Sequence, residues 1–279
     1  MIVVREKLSV PEAIAQQIEY NSELTAYTDE LRARSNKDKL DELCKIRAFD
    51  RETLDKCGAF YVGEMTEMLL PKYFKRVSDL GVISDTNHKP IFRNRWVFPI
   101  HDTDGLVQNL VGYSPYADER YIYGTSKYYR RRDTYYGLEN LELAYNMGYA
   151  FITEGITDTI RLRDIGFPNS FAMCGTHSSD FMIRQLNRCR YGVILVPDRD
   201  DPGLRALKQW NFYRSATIFV NFQFKDIDEL CYTAKEDGTR VKNVENIEWF
   251  KEYAKICIDW ITSSEHNSIN GLHEQITMI

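Results

Sequence analysis

The chain has 279 residues, enough for one large domain or two of ordinary size, and its 43% apolar content can supply a core. A net charge of −5 argues against tight, indiscriminate duplex binding, and no run of 18 apolar residues offers a membrane span. The charged start, Met1 to Lys7, lacks the apolar stretch of a signal peptide, so a cytoplasmic protein with no membrane partner is expected.

Six cysteines (44, 57, 174, 189, 231 and 257) form no CxxC pair, which argues against a zinc ribbon and a thioredoxin-type motif and leaves reduced thiols. Charge is unevenly placed. Lys72, Lys75, Arg76, Arg93, Arg95, Lys127, Arg130, Arg131 and Arg132 precede residue 140, whereas acidic clusters dominate after 150.

In chain order, residues 9 to 57 read as helical. Ser9-Val10-Pro11-Glu12 is a helix start, with Ile14, Ile18 and Leu24 recurring behind it. Asp50 is expected to cap a second start and Gly58 to end that helix. From about 60 to 145 the pattern turns to β, and Asp102-Thr103-Asp104-Gly105 between two apolar runs predicts a hairpin over 95–114. Leu138 to Met147 reads as a short helix.

Residues 149–222 then alternate. Strands are expected at 149–153, 169–173, 191–196 and 215–221, with helices at 156–165, 178–188 and 202–211 between them. That is βαβαβαβ, and right-handed crossovers make it a four-stranded parallel sheet. The fold class is therefore α/β: an α+β subdomain over 1–145, a parallel-sheet catalytic domain over 146–235, and a C-terminal helical tail over 236–279 built on the apolar face of residues 244–261.

Several nucleotide devices are absent. No glycine precedes a lysine and no two glycines stand at i, i+2, which removes the Walker A loop and the dinucleotide fingerprint; HExxH is missing too. What remains is carboxylate at strand ends: Glu154-Gly155 with Asp158, then Asp198-Arg199-Asp200-Asp201, then Asp226-Ile227-Asp228-Glu229. Taken singly, each cluster is better explained by a helix cap or a solvated loop. Parallel strands bring all three to one sheet edge, where unpaired like charges repel and need a cation. All-oxygen ligation by Asp198 and Asp200 selects Mg²⁺ or Mn²⁺ over zinc, and Glu154 would serve as ligand or as acid/base.

Glu154-Gly155-x-x-Asp158, Cys174-Gly175-Thr176, Asp198-x-Asp200 and Lys225-Asp226-x-Asp228-Glu229 together resemble the Toprim domain. Upstream, Phe92-Arg93-Asn94-Arg95-Trp96-Val97-Phe98-Pro99-Ile100, Val111-Gly112-Tyr113, Ser126-Lys127-Tyr128 and Tyr136-Gly137-Leu138 are similar to the RNA polymerase core of the bacterial and phage DnaG-type primases. The resemblance implies synthesis of short RNA primers on single-stranded DNA from ribonucleoside triphosphates, with two Mg²⁺ (or Mn²⁺) ions and no zinc. It implies that Glu154, Asp198 and Asp200 are the catalytic and metal-binding carboxylates, supported by Asp158, Asp226 and Asp228. It implies that Arg93, Arg95 and Lys127 contact template or nucleotide phosphates, with Arg130 and Arg131 following the nucleic-acid backbone.

The sequence departs from that pattern at Arg199, which replaces a small residue, and at Pro202, so Asp201 is expected to cap the next helix. With no cysteines for a zinc ribbon and a tail after 235 too short for a helicase, the chain resembles a stripped core such as a phage with split genes encodes. A replicative helicase and a zinc-ribbon protein would then be separate chains. A Toprim-type metal-dependent nuclease and a catalytically silent replication adaptor remain open alternatives.

Overall fold

The computed structural model describes residues 10–63, 80–83, 91–125, 135–174, 180–207, 210, 212–220, 223–263 and 274–278. The chain opens with α1 (Val10–Ala33), whose buried stripe is Tyr20, Leu24, Tyr27 and Leu31 at spacings of four, three and four. Ile14 and Ile18 fall on the opposite side of that helix, more than half exposed. Thr25 Oγ1 on the inner face accepts the Val107 N–H at 2.8 Å, which ties α1 to the sheet beneath it.

Next come α2 (Asp38–Arg47) and α3 (Arg51–Lys56), and the latter stops at Gly58, whose φ of 67° a side chain would resist. Asp50 precedes α3 with extended backbone, yet its side chain makes no capping bond. That expectation is corrected: Asp50 Oδ2 is drawn instead to Lys242 Nζ at 2.6 Å.

The strands β1 (Phe60–Val62), β2 (Arg95–His101), β3 (Val107–Tyr113) and β4 (Tyr121–Tyr123) form an antiparallel sheet in that order. The hairpin of β2 and β3 turns where the Asp-Gly chemistry places it, with Asp102 Oδ1 accepting the N–H groups of Asp104 and Leu106. Strand β2 reads as a continuous apolar run because both its faces are covered. Trp96, Phe98 and Ile100 pack with Leu40, Leu43 and Leu54, while Val97 packs with the stripe of α1.

The second half runs α4 (Leu141–Met147), β5 (Tyr149–Thr153), α5 (Ile156–Asp164), β6 (Ser170–Ala172), α6 (Asp180–Leu186), β7 (Gly192–Leu195), α7 (Asp201–Leu207) and β8 (Arg214–Ile218). It closes with α8 (Ile227–Leu230), the hairpin β9 (Tyr232–Ala234) and β10 (Arg240–Lys242), α9 (Val244–Thr262) and β11 (Glu274–Met278). The parallel sheet has the order β11-β8-β7-β5-β6. It is five-stranded rather than four-stranded, because β11 adds in parallel to β8. The stretch 236–279, read as a helical tail, thus holds α9 but also β10 and the edge strand β11.

Both faces of this sheet are buried. Phe151, Ile194, Ala216 and Ile218 meet Phe250, Ala254 and Cys257 of α9, whereas Ile152, Val193 and Leu195 meet Leu141, Met182 and Leu186 on the other side. The strand order reverses between β5 and β7, so their carboxyl ends splay a crevice at the switch point. Glu154 and Asp198 follow those two ends.

Candidate metal centre and cleft

Three carboxylates converge at the switch point. Asp158 on the first turn of α5, Asp198 after β7 and Asp226 before α8 place ligand oxygens within 4.8 Å of one another. Close main-chain approach makes this fit. A Cβ at Gly155 would lie 2.6 Å from Asp158 Oδ2, and one at Gly203 would lie 2.3 Å from the Asp198 carbonyl and 2.4 Å from Glu154 Oε1.

The electrostatics follow from crowding. Burial drives the Asp158 carboxyl well above its usual range, and Asp226, Asp198 and Asp228 push the same way. Glu154 is raised to about 7 by burial and by the Asp198 charge, against which the Asp198 N–H, 3.2 Å from Glu154 Oε1, works in the opposite sense. Asp226 is raised to about 6, again first by burial, although its Oδ1 caps α8 by accepting the Glu229 N–H at 2.7 Å. Asp198 is raised by burial too, moderated by Lys225, whose Nζ stands 3.1 Å from Asp198 Oδ2 and 3.2 Å from Asp200 Oδ2.

These residues suit a hard divalent cation. The donors are all carboxylate oxygens, and Asp158 Oδ1 is buried without a hydrogen-bond partner, an arrangement that costs free energy unless something fills it. Cys174 lines the same cleft, but its thiol is turned to the Ala172 carbonyl at 3.8 Å.

Other expected site residues are placed differently. Asp200 is outside the converging triplet: its Oδ1 accepts the Gly203 N–H at 2.9 Å and so caps α7. The expectation that Asp201 would be the cap is therefore off by one residue, since Asp201 is already the first, exposed residue of α7 and Asp200 is the one aimed at Gly203. Burial acts upward on Asp200, but the Gly203 N–H and Lys225 outweigh it and hold its carboxyl below the usual range.

Asp228 is buried and spoken for. Arg47 Nη2 lies 2.8 Å from one oxygen and Arg161 Nη2 3.0 Å from the other. Arg161, fully buried, also donates to the carbonyls of Ala48 and Arg47 and to Asp164 Oδ2, which fastens α2 to α5. Two guanidinium groups leave Asp228 little to offer a cation. Arg95 is likewise committed, its Nη1 donating to the carbonyls of Glu119 and Arg120 from a buried position, while Arg93 is half-buried beside it. Lys127, Arg130 and Arg131 lie outside the described residues.

A cleft of about 510 Å³ opens onto the carboxylates. Its lining also includes Arg47, Arg120 and Arg240 with Tyr121, Tyr123 and Tyr232, none of which the sequence reading selected. Arg240 stacks over the Tyr232 ring at 3.9 Å, and the Tyr121 hydroxyl meets Thr157 Oγ1 at 3.1 Å. Lys225 stood next to Asp226 in a recognised motif, where only the acids were read; Arg47 and Arg240 carry no local signal.

Residues 151–231 match a family described as Toprim-like. Over 226 residues the chain is 25% identical to a DNA primase of Thermotoga maritima, and over 148 residues 31% identical to one of Legionella pneumophila. These alignments take in 74% and 52% of this chain but only 40% and 24% of those proteins, so the chain spans less than half the length of the curated relatives it matches. Among solved structures, the zinc-binding and RNA polymerase domains of Aquifex aeolicus primase align with a TM-score of 0.69 at 22% identity, covering 91% of this chain and 62% of that one. A DnaG primase catalytic domain bound to ssDNA aligns at 0.67 and 18% identity, covering 92% and 87%. The chain has the fold of a DnaG-type primase core.

Within this fold the antiparallel sheet and α1 to α3 form the upstream half, and the segment that matches the Toprim-like family carries the carboxylates. The cleft draws on both halves, since Tyr121 and Tyr123 come from β4 and Asp158, Asp198 and Asp226 from the parallel-sheet side. Among the described residues no helix is long and apolar enough to cross a membrane.

Proposed function

We propose that this chain is the catalytic core of a DNA primase, joining ribonucleotides into short RNA on a single-stranded DNA template in the cytoplasm of a bacterial host. The observation that carries the reading is the cleft itself: a converging carboxylate triplet shares one cavity with arginines and tyrosines from the upstream half. Cationic and aromatic groups side by side suit a nucleic-acid backbone and unstacked bases. The relatives named above as DNA primases, and the related catalytic domain bound to ssDNA, support the same direction.

Asp158, Asp198 and Asp226 would hold Mg²⁺ or Mn²⁺. When bound, such an ion lowers the barrier to attack of a 3′-hydroxyl on an α-phosphate and neutralises the charge that develops on the leaving pyrophosphate. Glu154, beside Asp198 and raised to about 7, is suited to accept the 3′-hydroxyl proton near neutral pH. Asp200 acts on the site by fixing the start of α7 and thereby the Gly203 main chain that packs on Asp198. Arg120 and Arg240, with the neighbouring tyrosines, would orient template and incoming nucleotide. The core would work together with a replicative helicase and a zinc-ribbon module.

Incubation with single-stranded DNA, the four ribonucleoside triphosphates and Mg²⁺ should give short RNA, and Asp198→Ala should abolish it. Metal-dependent nicking of DNA without nucleotides would favour a Toprim nuclease instead. Absence of Mn²⁺ binding would favour a catalytically silent adaptor.

A further inference from the structure

We propose that Lys225 is the resident counter-cation of the carboxylate cluster, and that a divalent cation must displace its ammonium from Asp198 on entering. This rests on the metal-site reading above and adds to it a residue that sets how tightly the site loads.

The main chain holds Lys225 in place from both sides. Its carbonyl accepts the Arg199 N–H at 2.7 Å, and its own N–H donates to Glu229 Oε2 at 2.6 Å, one residue before the Asp226 cap of α8. The stem is therefore aimed by backbone bonds between the loop after β7 and the start of α8. From there Nζ spans Asp198 Oδ2 and Asp200 Oδ2 at nearly equal distances.

Asp198 is the pivot, because it belongs both to this ion pair and to the triplet with Asp158 and Asp226. Other cations near the site lie against other groups: Arg47, Arg161 and, at 3.9 Å, Arg240 face Asp228, and Arg199 Nη1 donates to the Val220 carbonyl. Arg205 adds only the smallest of the favourable charges acting on Asp200. Among the described residues, Lys225 is the cation in ion-pair contact with Asp198 and with Asp200. It lessens their mutual repulsion and lets the strand ends assemble before any metal arrives.

A dication bound through Asp198 would sit against that ammonium, and like charges around one carboxylate weaken each other. Binding and ion pairing are thus reciprocal: each reduces the other by the same factor. Lys225 keeps the empty site assembled and at the same time lowers its affinity. Its side chain is 54% exposed, so the ammonium has room to swing away from Asp198 and keep its pairing with Asp200.

Calorimetry with Mn²⁺ tests this on the wild type, Lys225→Met and Lys225→Arg. Lys225→Met should bind Mn²⁺ roughly fivefold or more tightly than wild type, with a lower melting temperature without metal and a larger rise on saturation; Lys225→Arg, which keeps the charge, should bind like wild type. Unchanged or weaker binding by Lys225→Met overturns the proposal. A second measurement uses the wild type alone: reductive methylation of Lys225, followed by mass spectrometry, should speed up when Mg²⁺ is added, and an unchanged or slower rate overturns the proposal even if Lys225→Met does not fold. No Mn²⁺ binding by wild type would instead remove the metal-site reading and the proposal with it.

Discussion

Two neighbouring regions of the cleft bury aspartate to nearly the same depth and use it in opposite ways. Around Asp228, exposed by 4%, Arg47 and Arg161 take both oxygens, and the resulting clamp joins α2 to α5 and α8. Around Asp158, exposed by 6%, the neighbours are other carboxylates, one oxygen has no partner, and the carboxyl is pushed well above its usual range. The first region spends its charges on holding the fold, and the second leaves its carboxylates crowded together with one oxygen unpartnered, as a ligand site would. Sequence spacing could not separate the two, because each aspartate lies in a recognised motif at the start of a helix.

The comparison breaks if removing the clamp is harmless. Asp228→Ala leaves two buried guanidinium groups short of a partner, so urea unfolding should report a loss of about 3–5 kcal/mol that Mg²⁺ does not restore. A smaller effect is expected at Gly203→Ala, where the added methyl meets the Asp198 carbonyl and Glu154. Unfolding should show about 2 kcal/mol lost, together with weakened Mn²⁺ binding.

The pH dependence sharpens the contrast further. Glu154, raised from its ordinary 4.5 to about 7, and Asp226, raised from 3.8 to about 6, keep their protons more readily in the fold than in the unfolded chain. Their contribution to stability is therefore full at low pH and is lost as pH rises from about 4 to about 7. Asp200, held below its usual range, has the opposite sign but is more exposed. The metal-free urea midpoint should fall over that interval, and saturating Mg²⁺ should flatten the fall. The smallest effect belongs to Asp201→Ala. Because Asp200 is the cap, the melting curve should move by no more than about 0.5 kcal/mol equivalent.

The sheet was legible where one residue type explains one geometry. Buried on both faces, β5 and β7 show as unbroken apolar runs, and the Asp102 to Gly105 turn announces its hairpin. Helix α1 was legible as a helix but not in its inner face, since Tyr20 and Tyr27 carry the buried stripe that Ile14 and Ile18 seemed to begin. Strand β11 gave no signal, because an edge strand added from the far end of the chain is defined by its partner β8 and not by its own pattern.

That Asp158, Asp198 and Asp226 come together could be foreseen from sequence, whereas the different placement of Asp200 and Asp228 could not. That placement depends on Arg47, 181 positions before Asp228, and on whether the Asp200 side chain turns to Gly203 or to the crevice. Lys225 was hidden for another reason. Its neighbours are acidic, and a lysine among acids reads as a solvated ion pair until its Nζ is seen between Asp198 and Asp200.

The most direct measurement of the central claim, that Asp158 belongs to a metal site and Asp228 to the scaffold, is Mn²⁺ calorimetry on folded Asp158→Asn beside the wild type at pH 8. A site built on Asp158, Asp198 and Asp226 predicts saturable binding by the wild type and a loss of about 100-fold or more in Asp158→Asn, whose melting temperature without metal is no lower. Equal affinity in the two proteins would contradict it.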